Sequence, residues 1–185
     1  KIPADGITVA PGAGPSSIFY KDKIHIFYPA NETTFAFIAF DTNTNTLGNP
    51  TEIGLEVNDE YEIGITPNIT SPVIFENNVC NLYNGEIKPT TDPEYMDSRL
   101  RINIFNGNAT LSDRQVPKTY MTDMPGAAVY GDRIYCFHQG NKSDGSLWYN
   151  VSSDGAVWEG DNELILENGL KISRGPSVMV LGGQL

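Results

Sequence analysis

Apolar and polar positions alternate along this chain in short runs, and the runs recur. Pro15–Tyr28 holds two apolar stretches, Ile18-Phe19-Tyr20 and Ile24-His25-Ile26-Phe27-Tyr28, separated by the polar Lys21-Asp22-Lys23. Pro125–His138 matches it position by position in character, with Gly131-Asp132-Arg133 between Val129-Tyr130 and Ile134-Tyr135-Cys136-Phe137. Ser71–Tyr83 fits between the two, and a fourth copy begins at Pro176. With Ile24, Val79, Ile134 and Leu185 as the reference column, successive copies lie 55, 55 and 51 residues apart. A fixed period of this size is the mark of a repeat architecture, in which each unit hides its apolar faces against its neighbours.

Each copy predicts a hairpin. Lys21-Asp22, Asn77-Asn78, Gly131-Asp132 and Gly182-Gly183 supply residue types that tolerate positive φ in a two-residue turn. A third apolar run follows: Phe35 to Phe40, then Leu100 to Phe105, which alternates with period two, then Leu147 to Val151. A fourth short strand is expected at about Glu52 to Val57, Gln115 to Pro117 and Glu163 to Leu166. Four antiparallel strands per 50-odd residues is one blade of a β-propeller. The expected fold class is therefore all-β, a propeller of four-stranded blades with three full repeats, about 15–69, 70–124 and 125–175, and partial blades at both termini, the last at 176–185. The stretch Ile87–Asp97, with Pro89 and Pro93, reads as a lengthened loop rather than strand.

Composition narrows the function. The 12 Lys and Arg against 23 Asp and Glu leave a net charge of −11, so a phosphate backbone or an anionic bilayer is repelled and nucleic acid is excluded as a partner. The longest apolar run, Phe35 to Phe40, is far short of the roughly 20 residues a spanning helix needs, so no membrane insertion is expected. The cysteines Cys80 and Cys136 occupy one strand of neighbouring copies one register apart, pointing to opposite faces of their sheets, and read as buried thiols. Asn31, Asn68, Asn108, Asn141 and Asn150 each open a glycosylation acceptor triplet. No signal peptide is visible at Lys1-Ile2-Pro3, which leaves a removed leader or none; the acceptor triplets make a secreted protein the expectation.

The third copy, Pro125 to Gly140 with Leu147-Trp148-Tyr149-Asn150-Val151 and Asp154-Gly155, resembles the repeats of fungal and bacterial lectin-like β-propellers, a non-catalytic branch of the sialidase-like superfold. The resemblance covers nearly the whole chain as a repeat and is sharp in the third copy. It implies glycan pockets on one face, between neighbouring blades, built from aromatic and amide side chains of successive copies. Propellers close with four to eight blades, so three full copies leave edges exposed; cyclic self-association into a ring is expected, with a fragment of a longer chain as the alternative.

A sugar site needs an apolar face for the C–H side of the ring and hydrogen-bonding groups for its hydroxyls. Trp148, Trp158 and Tyr28 supply the first, with packing between blades as the competing reading. His138, Gln139 and Asn141 lie where the second strand of the third copy ends, and Asn84 and Glu86 lie at the matching place in the second copy. Arg101 and Arg174 are forks that suit a carboxylate or paired hydroxyls, with a surface ion pair explaining each equally well. Asp41, Asn43, Asn45 and Glu52 carry oxygens at calcium-loop spacings, but Thr46 stands where that loop requires Gly and a polar hairpin loop is the simpler account. No cofactor is expected.

Enzyme readings find less support in the sequence. Ser152-Ser153-Asp154-Gly155-Ala156-Val157-Trp158 looks like a shortened Asp-box, a structural turn of sialidases, and neither His25 nor His138 accompanies a nucleophile elbow. The expectation is a non-enzymatic lectin that binds glycans or glycoproteins multivalently, with a protein-binding scaffold second and a glycosidase-like protein third.

Overall fold

The computed structural model describes residues 7, 9, 14–31, 34–53, 61–65, 70–89, 97–141 and 144–185, and at 61–65, 86–89 and 97 the description is of the backbone. Among the described residues every extended element pairs antiparallel, and the only helical element is the single 3-10 turn Glu167–Gly169. One five-stranded sheet runs β1 (Ser16–Tyr20), β2 (Lys23–Pro29), β3 (Phe35–Asp41) and β4 (Thr46–Leu47), with β5 (Thr51–Ile53) also on β3. The second sheet contains β6 (Tyr61–Ile65), β7 (Ser71–Phe75), β8 (Asn78–Pro89), β9 (Asp97–Phe105), β10 (Thr110–Tyr130), β11 (Arg133–Gly140), β12 (Leu147–Ser152) and β13 (Asn162–Leu164).

This eight-stranded sheet is two units sharing one long strand. Over Thr110–Tyr120 β10 pairs with β9, and over Met121–Tyr130 it pairs with β11, with register shifts at Gln115/Tyr120 and Thr122/Gly126. Such irregularities bend a strand. β10 thus ends one four-stranded unit, β7-β8-β9-β10, and opens the next, β10-β11-β12-β13. No sheet closes on itself among the described residues.

The hairpins follow from turn chemistry. The central turn residues Lys21 and Asp22, Glu76 and Asn77, Gly131 and Asp132, and Gly182 and Gly183 all have φ between 45° and 76°. Two consecutive positive φ values make the turn whose twist matches that of the flanking strands. In the second unit the turn lies one residue earlier than expected, since Phe75 pairs with Asn78.

Alternation assigns each side chain to a face, and the faces stack. His25, Phe27, Phe35, Phe37 and Ile53 of the first unit meet Val79 and Phe105 of the second around a cluster of rings, Phe37 and Phe105 lying 4.5 Å apart. The opposite face of the second unit, with Cys80, Leu82, Leu100, Ile102 and Val116, packs on Ala127, Ile134 and Cys136 of the third. Cys80 and Cys136 point to opposite sides of their own sheets, yet stacking brings both into this one core. Burial pushes the Cys80 thiol up to about 12 and the Cys136 thiol higher still, so both stay protonated and unreactive.

The stretch after Ile87 departs from the expectation of a loop. β8 continues to Pro89, Ile87 pairs with Asp97 on β9, and β6 adds along the other edge from Tyr61↔Pro89 to Ile65↔Gly85. Pro89 sits at the strand end, where a missing amide donor costs no ladder bond. Residues 90–96 lie outside the described residues.

Candidate functional site

In the third unit one end of the sheet gathers three connections: the mid-strand bend of β10, the β11–β12 loop and the approach to β13. Between them lies a cleft of about 470 Å³ lined by Lys118, Tyr120, Asn141, Asp144, Trp148, Asp161 and Glu163, among others. Lys118 and Asp123 both have positive φ (56° and 66°), so the bend that rims this end holds non-glycine residues in a sparsely populated conformation.

Trp148 forms a wall because of its partner strand. It stands opposite His138 in the β11–β12 ladder, and a Cβ added at Gly140 would lie 2.8 Å from its indole Nε1, so glycine lets the ring rest against backbone. His138 is fully buried behind the cleft, with Nε2 3.1 Å from Asp161 Oδ1 and Nδ1 3.2 Å from the Gln139 carbonyl oxygen. Asn150 donates from Nδ2 to Thr119 Oγ1 (2.9 Å) and Asp161 Oδ1 (3.4 Å). A buried imidazole and a buried amide therefore fix the Asp161 carboxylate at the cleft.

A second cleft of about 420 Å³ adjoins the first and also takes in Asp144; its lining includes Asp123, Gln139, Lys171 and Arg174. The junction is built by Ser146, whose amide donates to Asp144 Oδ1 (2.8 Å) and whose Oγ accepts from Lys171 Nζ (3.2 Å). Asp123 Oδ2 accepts from the Gly175 amide and lies 4.0 Å from the exposed Arg174 guanidinium.

The residues picked out from sequence divide accordingly. Asn141 and Trp148 line the first cleft, Gln139 and Arg174 line the second, and His138 lies behind Asp161. Asn84 donates to the Asp123 carbonyl oxygen at 3.1 Å, which sets it beneath the rim. Tyr28 is buried with Ala36 and Ile38 in the first unit. Trp158 packs against the core between the second and third units, its Nε1 buried. Arg101 is buried between the first and second units, where it donates to Asp113 Oδ2 (2.8 Å) and the Tyr83 hydroxyl (3.1 Å). Burial disfavours its charge, but Tyr83 and Asp113 outweigh that and hold the guanidinium firmly protonated. The side chain of Glu86 lies outside the described residues.

Lys118, Tyr120, Asp161 and Glu163 were not expected from sequence, because none shares a segment with the 138–141 and 148 motif. The signal that could have found them is the position equivalent to the loop before each hairpin and the loop before each fourth strand. Of the calcium-type oxygens, Asp41 Oδ1 already accepts from the amides of Asn43 (2.9 Å) and Thr44 (3.1 Å), bonds that hold its carboxyl below the usual range, and Glu52 is exposed on β5. Among the described residues no group of three or more His, Cys, Asp and Glu side chains is placed to hold a metal ion. Asn150 of the fifth acceptor triplet is fully buried and is structural.

Stacked antiparallel units with clefts at one end define a propeller-type fold. No protein-family model and no curated protein matches the chain by sequence. Solved structures share its fold. A subtype N10 neuraminidase-like protein of A/little yellow-shouldered bat/Guatemala matches with a TM-score of 0.51 and 10% identity, over 80% of this chain and 44% of that one. An alpha-L-arabinofuranosidase from Clostridium thermocellum matches with a TM-score of 0.54 and 12% identity, over 86% of this chain and 55% of that one. Both are β-propellers, and this chain spans about half the length of each. They support the propeller fold and give no support to a lectin-like repeat family. The expectation of a non-enzyme is corrected by the same finding: the fold is one that an arabinofuranosidase uses, so it carries no argument against catalysis.

Proposed function

We propose that the chain recognises carbohydrate in the clefts of its third unit. The observation that carries this reading is the indole of Trp148, supported on Gly140 and turned to a cleft whose other walls are Asn141, Asp144, Asp161 and Glu163. A pyranose presents an apolar C–H face and a polar hydroxyl rim, which an aromatic wall flanked by amide and carboxylate acceptors matches. A glycan array with competition by free sugar tests it: binding that free sugar abolishes supports the reading, and an array without sugar-inhibited signal overturns it.

Three carboxylates on one cleft favour a second reading, glycoside hydrolysis, because paired carboxyl groups supply the acid and base that reaction needs. Release of a chromophore from aryl glycosides, lost in Asp161→Asn or Glu163→Gln, supports hydrolysis; binding without turnover supports recognition alone.

Self-association and secretion belong to the same proposal. Phe137 and Tyr149 form a partly exposed aromatic pair, 5.8 Å between centroids, on the face of the third unit turned away from the second. Burying such a face against another copy contributes roughly 25 cal/mol per Å². Sedimentation of a species larger than 20.3 kDa, reduced to a single chain by Phe137→Glu, is expected.

A further inference from the structure

The two adjoining clefts differ in charge, and the difference bears on the substrate. The first is lined by Asp144, Asp161 and Glu163 against Lys118. In the second, Lys171 and Arg174 stand with Asp123, Asp144 and the amide of Gln139, and the Arg174 side chain is 85% exposed, its Nη1 4.0 Å from Asp123 Oδ2. In a chain of net charge −11 this cleft balances two cations against two carboxylates, where the first sets one cation against three, and its cations are brought in by the path that leads from β13 toward the C-terminal hairpin. Lys171 Nζ stands at the junction, bonded to Ser146 of the first cleft.

We infer that the two clefts form one groove with two subsites, the Trp148 cleft taking an uncharged sugar ring and the Lys171–Arg174 cleft taking a neighbouring ring that bears a carboxylate. This rests on the carbohydrate reading and deepens it, naming an acidic oligosaccharide of at least two residues as the ligand class. A guanidinium with an open fork receives a carboxylate through two parallel bonds, and charge-assisted bonds of this type are roughly twice as strong as neutral ones. Asp123 Oδ2 accepts from the Gly175 amide and lies 4.0 Å from Arg174 Nη1, beyond hydrogen-bond distance, so it holds the guanidinium beside the cleft. Sugar carboxylates come from uronates or from sialates, and both present the same planar group.

The test is calorimetric titration with a galacturonate trisaccharide and with a sialylated lactose, each beside its carboxyl-reduced counterpart. Expected is about tenfold tighter binding of the acid than of the reduced form in at least one arm, and the arm that shows it identifies the source. The paired substitution Lys171→Gln with Arg174→Gln should remove that advantage, so that the variant binds the acid and the reduced form alike to within about twofold. Equal affinity for acid and reduced forms in both arms overturns the acidic subsite and leaves the carbohydrate reading intact. Binding of neither, with neutral glycans positive on the array, overturns it likewise; an array with no positive glycan overturns both.

Discussion

The buried Arg101 shows how one side chain decides the interior of this molecule. With its guanidinium and the Asp113 carboxylate both out of water, the ion pair offsets part of its desolvation through Tyr83, which donates to Asp113 Oδ1 (2.7 Å) and accepts from Arg101 Nε. Arg101→Met takes the Arg101 cation from the buried Asp113 carboxylate and should cost about 3–5 kcal/mol in a denaturant titration; a loss below about 1 kcal/mol would contradict this account. Sequence showed Arg101 as an exceptional cation but not where it lies, because burial of a strand residue depends on which sheet stacks on it. His25 gives a pH prediction. Its surroundings, the rings of Tyr20, Phe37 and Phe105, desolvate the imidazole and lower its pKa below 6.5, so the unfolded chain binds the proton more readily than the folded one. That contribution to stability is complete above pH 6.5 and is lost as the pH falls through the window below it. Thermal unfolding between pH 5 and 7 should therefore show a slope that His25→Phe reduces.

At the scale of the element, the turns carry the most legible information. Gly131 and Asp132 close the β10–β11 hairpin with φ of 53° and 60°, and a Cβ at Gly131 would meet nothing within 4 Å. Any penalty at this position thus comes from backbone conformation alone. Gly131→Val should cost about 1–2 kcal/mol without altering the sheet, read from the unfolding midpoint; a neutral outcome would contradict the assigned turn. The turn pairs were readable because positive φ selects few residue types. The Asp154 turn was readable for the same reason: its Oδ1 accepts from the amides of Ala156 and Val157 at 2.7 Å, bonds that hold the carboxyl below its usual range. The extension of β8 and the added β6 were not readable, since Gly85, Pro89 and Pro93 signal breaks and the pairing that overrides them is non-local. The site was half legible. Asn141 and Trp148 lie in one continuous motif, whereas Lys118, Asp161 and Glu163 arrive from two other connections.

For the whole molecule, stacking is the physical basis of the cleft. Two apolar interfaces, one of aromatic rings and one of aliphatic side chains with the two thiols, hold three units in sequence. The groove at one end forms because the shared strand β10 leaves the second unit at Tyr120 and enters the third at Met121. A recognition surface built this way is repeated by architecture and specified by loops, which is why the fold was visible in the period while the ligand was not. The two tryptophans, Trp148 in the cleft and Trp158 in the core, make the central claim measurable by intrinsic fluorescence during titration with a glycan positive on the array. The account predicts a saturable change in emission for Trp158→Phe, where only the cleft indole remains, and none for Trp148→Phe. A saturable response retained in Trp148→Phe, or absent from Trp158→Phe while the glycan still binds, would contradict carbohydrate recognition at this cleft.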